Sequence, residues 1–115
     1  MLITSFYVKK VNCQNHLIGI ANITIDNAIA IHDIKIINKN EKYFIAMPSR
    51  KVREDCFVDI VHPISSEVRD IFEKLLIVGM QVLLDTDLER LSFQIKESSL
   101  KKDFYSLSLH DYAIV

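Results

Sequence analysis

Residues 17–37, LIGIANITIDNAIAIHDIKII, hold two isoleucine-rich runs on either side of Asp26-Asn27, and each run breaks its own alternation. Ile18 and Ile20 share one phase, while Ile23 and Ile25 take the other. Ile29 and Ile31 are likewise followed by Ile34 and Ile36. A strand sends successive side chains to opposite faces, so a phase change inside a strand calls for an extra residue. The pattern predicts two antiparallel strands, 17–25 and 28–37, with a β-bulge near Gly19 to Asn22. Asp26-Asn27 suits a two-residue turn.

The flanking sequence extends the same logic. Residues 2–11 alternate like a strand, and Asn12 to His16 supply turn residues. Asn38 to Lys42 make another turn, and residues 43–47 and 56–62 read as a fourth and fifth strand. Pro63 ends the strand pattern because it cannot donate to a ladder. Ser65-Ser66 then offers an N-cap, with Glu67 and Asp70 in the first turn. Val68, Ile71, Phe72, Leu75, Val82 and Leu83 recur at helical spacing, which predicts a helix over about residues 66–84. Its second half, KLLIVGMQVLL, is apolar around most of its circumference and should be covered by the fold or by a partner. Gly79 weakens the helix by roughly 1 kcal/mol relative to alanine. In the tail, residues 91–95 alternate like a strand, and Phe104, Tyr105, Leu107, Leu109 and Tyr112 are too apolar for a disordered end.

These elements give an α+β fold in one domain: an antiparallel sheet of about five strands, then an α-helix, then a tail with a short strand. Residues 1–84 form the main body. Residues 85–115 are a distinct extension, packed on the same domain or on a dimer partner. No uncharged apolar run is long enough to predict a transmembrane helix, and MLITSFYVKK lacks the charged and apolar regions of a secretory signal. Cys13 and Cys56 share no short motif and read as free thiols in a reducing cytosol.

Charge is unevenly distributed. Residues 1–53 hold eight Lys/Arg and three Asp/Glu, whereas residues 54–115 hold six and twelve. A basic half permits a polyanion partner despite a net charge of −1. The most concentrated cations are Arg50, Lys51 and Arg53, between the apolar runs of FIAMPSRKVREDCFVDIVHPI. They are either a phosphate-binding edge or a solvated hairpin tip. Lys9, Lys10 and Lys35 extend this group if their strands are neighbours, and Tyr7, Tyr43 and Phe44 could stack on bases. A catalytic or metal-binding role for His32, Asp33, Asp59, His62 and Cys56 fits poorly, because strand neighbours at odd spacing diverge. No metal-ligand, nucleophile-elbow or glycine-rich phosphate motif is present.

Three motifs in order, His32-Asp33-Ile34, Ala46-Met47-Pro48-Ser49-Arg50-Lys51 and Asp59-Ile60-Val61-His62-Pro63-Ile64, resemble the SpoVG family of bacterial regulators over about residues 2–78. The resemblance implies a cytoplasmic homodimer that binds DNA or RNA and regulates gene expression, with links to septation and sporulation. It implies no enzyme activity and no cofactor. Carried over by position, it points to Arg50, Lys51, Arg53 and Arg69 as nucleic-acid contacts, with Lys9 and Lys10 on the first strand. The chain departs from the family in its apolar helix end and its long tail. The alternative is a protein-interaction module whose apolar helix and tail bind a cell-division or regulatory partner.

Overall fold

A computed structural model describes residues 1–115, with the Cys13 side chain outside the description. The chain runs β1 (Ile3–Gln14), β2 (Leu17–Ile25), β3 (Ile29–Lys39), β4 (Lys42–Ala46), β5 (Ser49–Arg53), β6 (Cys56–Asp59), α1 (Ser66–Leu84), β7 (Arg90–Ile95) and β8 (Tyr112–Ile114). Six strands form one antiparallel sheet in the order β4-β3-β2-β1-β7-β8. The α+β architecture therefore matches the sequence reading. The strand expected at 56–62 ends at Asp59 and pairs with Ser49–Arg53 in a separate two-stranded ribbon. Every residue of that ribbon carries solvent-accessible surface, and none is buried.

The hairpin turns are built without glycine. Asn15-His16, Asp26-Asn27 and Asn40-Glu41 all take positive φ, from 49° to 71°. Paired positive φ values match the right-handed twist of the strands they join, and Asn and Asp tolerate that region best. The two glycines serve close approach instead. A Cβ on Gly79 would lie 2.9 Å from a Phe6 ring carbon, and one on Gly19 would lie 2.7 Å from Met80 Sδ. Gly79 thus lets α1 sit directly on β1, which offsets its weak helix propensity.

The expected bulge is displaced. Between Gly19 and Thr24, β2 is regular against β1, and Ile20 simply points away from the core. The extra residue lies in β3: Ala21 faces Ile34 while Ile23 faces Ile31. Asp33 takes φ 62° there, and its N–H donates to Asn22 Oδ1 at 3.3 Å. This bulge returns Ile34 and Ile36 to the buried face. A second shift, between Leu17 and Gly19, adds a residue to β2 at Ile18.

The helix covers one face of the sheet. Ser65 Oγ accepts from Val68 N, and Ile71, Phe72, Leu75, Leu76, Gly79, Met80 and Leu83 are buried beneath it. No helix is long and apolar enough to cross a membrane. After α1 the chain returns to the open edge of β1, where β7 pairs from Ser5↔Gln94 to Lys9↔Arg90. Phe93 stacks on Phe6 with ring centroids 4.6 Å apart, and Tyr112 meets Phe6 edge-on. Short 3-10 turns carry the tail over the helix, burying Phe104 and Leu107.

Asp111 ties this tail together. It accepts from Ser99 Oγ at 2.8 Å and Ser108 N at 2.9 Å, and its carboxylate lies 2.8 Å from Lys102 Nζ. Burial alone would raise its pKa, but Lys102, Ser108 and Ser99 outweigh that and hold it down to about 2. The neighbouring Tyr112 hydroxyl donates to Ile3 O at 2.6 Å. Burial, and then the Asp111 charge, push the Tyr112 pKa upward.

Candidate nucleic-acid interface

The ribbon carries the most concentrated cations, and its register decides where they point. Arg50 faces Val58, Lys51 faces Phe57, and Arg53 faces Cys56. Cross-strand partners share a face. A register shift at Val52 brings Arg53 onto the side of Arg50, so the two arginines share one surface while Lys51 lies with Phe57 on the other. Lys51 Nζ lies 3.3 Å from Glu54 Oε1, an exposed pair of little energetic weight. The guanidinium groups of Arg50 and Arg53 form no ion pair among the described residues.

The same ribbon and the loop after it expose apolar side chains. Phe57 is 64% exposed, Ile60 65% and Ile64 95%. Val61, Pro63 and Ile64, with Ile25, Ile31 and Phe72, line an open, mainly apolar groove of about 270 Å³. An isolated hairpin is marginal in water, so a ribbon of this kind gains most from being covered.

The other expected contacts separate by role. Lys9 stands exposed on the sheet face opposite the helix. Its neighbour Lys10 points to the helix side, where Nζ donates to Thr86 O at 2.7 Å. The last turn of α1 has no basic residue of its own, so Lys10 supplies the cation its C-terminus favours. Arg69 Nη2 donates to Ile45 O at 2.7 Å and Nε to Glu73 Oε1 at 3.0 Å. That guanidinium joins the helix start to β4. Lys9 and Lys35 share a face because both pair with Ile20, and Arg90 joins them as the β7 partner of Lys9. Arg90 was not legible as a site residue, since its neighbour lies 81 positions away in sequence, from 9 to 90.

His32 and Asp33 sit at the β3 bulge, Cys56 and Asp59 in the ribbon, and His62 in the following loop, where Nδ1 lies 2.9 Å from Pro63 O. Among the described residues, no group of three or more His, Cys, Asp or Glu is placed to hold a metal ion.

Comparison with known proteins places this geometry. The SpoVG family model matches residues 1–79. The chain belongs to the SpoVG family. Relatives whose names carry SpoVG and a provisional link to septation include one from Finegoldia magna, 49% identical over 77 residues, 67% of this chain and 71% of that protein. Another, from Aster yellows witches'-broom phytoplasma, is 44% identical over 85 residues, 74% of this chain and 86% of that protein. A third, from Caldicellulosiruptor saccharolyticus, is 43% identical over 84 residues, 73% of this chain and 96% of that protein. The ribbon lies inside the SpoVG match, whereas β7 and β8 lie beyond it.

Proposed function

We propose that the protein is a cytoplasmic, dimeric nucleic-acid-binding regulator of gene expression, acting in septation or a related developmental process. The observation that carries this reading is the ribbon, which places Arg50 and Arg53 on one surface and leaves its apolar partners uncovered. The apolar residues favour a second copy of the chain, and the arginines favour phosphates. Pairing two copies doubles the cationic surface and raises the effective concentration of the second site. The septation link rests on the names of the relatives. The helix and tail are a weaker partner surface, because Leu76, Met80, Phe104 and Leu107 are buried against one another and the sheet.

Two measurements test this. Light scattering after size exclusion should give twice the monomer mass, and Phe57→Lys with Ile60→Asp should return the chain to monomer. Titrations on duplex DNA should give a salt slope near −5, taking about three phosphates per subunit. Arg50→Glu with Arg53→Glu should flatten that slope. Unchanged duplex and single-strand binding in the double variant, or a stable monomer throughout, would overturn the reading.

A further inference from the structure

The helix covers one face of the six-stranded sheet, and nothing in the described chain covers the other. Its outward positions follow from the register. Ser5, Thr24 and Gln94 lie at one end, then Tyr7, Asn22 and Ser92. The next row crosses the sheet as Arg90, Lys9, Ile20, Lys35 and Ala46. Beyond it come Ile37 with Phe44, then Lys39 with Lys42. The strands contribute five cations to this face, and none of them forms an ion pair among the described residues. The regular strand positions contribute no carboxylate. Asp33 at the bulge and Glu89 just before Arg90 stand at the margin.

The carboxylates gather elsewhere, with Glu67, Asp70 and Glu73 on α1 and Asp85 and Asp87 after it. The open sheet face is cationic, while α1 and the loop after it hold carboxylates. Lys9 and Arg90 are direct cross-strand neighbours, and like charges in that position repel. A polyanion laid along the row relieves that repulsion. Tyr7 and Phe44 flank the row with their rings on the same face, Phe44 being exposed.

We infer that this open sheet face is a binding platform for single-stranded nucleic acid. Arg90, Lys9 and Lys35 contact the phosphates, and Tyr7 and Phe44 supply base-stacking surfaces. A sheet face with aromatic rings between cations suits splayed bases, whereas a duplex hides its bases from such a surface. The row ends at Ala46, the last residue of β4, so the strand can continue onto the ribbon that starts at Ser49. Arg90 comes from the segment beyond the SpoVG match, so this chain's platform is one cation richer than the matched residues alone provide. The inference rests on the nucleic-acid reading above and adds the site and the form of the ligand.

The test uses the full chain and fluorescence anisotropy with short labelled DNA and RNA single strands and a duplex, each at several salt concentrations. Lys9→Glu with Lys35→Glu and Arg90→Glu should weaken single-strand binding at least about tenfold and flatten its salt slope by about two. Tyr7→Ala with Phe44→Ala should weaken single strands several-fold and leave the duplex unchanged. A thermal melt of each variant verifies folding. The DNA and RNA arms show which single strand binds better. Unchanged single-strand affinity in the triple variant, while Arg50→Glu with Arg53→Glu abolishes it, overturns the platform and leaves the ribbon reading intact. Equal binding of poly-glutamate overturns it in favour of an acidic protein partner. No binding of any nucleic acid by the unmodified chain overturns both.

Discussion

The ribbon and the tail each contribute two strands, one pair standing apart and the other extending the sheet, and they are opposites. The ribbon lies within the residues that match the SpoVG family, yet none of its residues is buried, and together with the loop after it the ribbon exposes Phe57, Ile60 and Ile64. The tail lies outside that match, yet it adds two strands to the sheet and buries Phe93, Ile95, Phe104, Leu107 and Tyr112. Here the ribbon, inside the match, is open surface, whereas the segment beyond the match adds to the core. The difference follows from charge and partners. Each ribbon strand pairs an apolar residue with a cation, so neither face can be buried cheaply. The tail instead aligns Leu91, Phe93 and Ile95 on one face, opposite a strand whose edge was free.

This contrast predicts unequal responses to truncation. Phe93→Ala removes the ring stacked on Phe6 and should cost about 3–5 kcal/mol by chemical denaturation. Phe57→Ala in the ribbon should change the unfolding free energy of the dilute chain by no more than about 0.5 kcal/mol, and should act on self-association instead. A ribbon substitution as costly as the core one would end the comparison.

Acid should loosen the tail selectively. Asp111 has a folded pKa of about 2, below its ordinary value of 3.8, so its contribution is full above that ordinary value. The contribution disappears as pH falls towards 2, for a total of about 2 kcal/mol. Asp111→Asn should remove this pH dependence, and fluorescence of Tyr112 or Tyr105 against pH reads it. Gly79→Ala probes the helix seat: the added methyl meets Phe6, and a net loss of about 1–2 kcal/mol is expected despite better helix propensity. Asp33→Gly, like Phe57→Ala, should leave stability within about 0.5 kcal/mol, because glycine accepts the bulge conformation freely.

The helix was legible to the residue, Ser66–Leu84, because Ser65 and the apolar spacing are local signals. The turn at Asp26-Asn27 was legible for the same reason, while the one at Asn40-Glu41 is narrower than the stretch Asn38 to Lys42 suggested, because β3 runs on to Lys39. Alternation alone places the bulge in β2, because it does not reveal that Ile20 faces outward. That isoleucine lies between Lys9 and Lys35, and hydrophobicity alone cannot report direction. The ribbon was read as part of the sheet because pairing with a near neighbour and with a distant strand leave the same alternation. At the candidate site, Arg50 and Arg53 were legible as a charge cluster. Their separation from Lys51 was not, because it depends on the register shift at Val52. Lys10 and Arg69 looked equivalent to Lys9 in sequence, and only their carbonyl partners on Thr86 and Ile45 assign them to the fold.

The pairing of β7 with β1 sets an order of events in the cell. β1 waits for a strand that begins at Arg90, and the Tyr112 hydroxyl anchors on Ile3 across 109 positions of sequence. Until β7 has been made, one edge of β1 stays unpaired and open to other nascent chains. Closure of the sheet therefore waits on residues made long after β1, and a chain interrupted before Arg90 carries an adhesive edge.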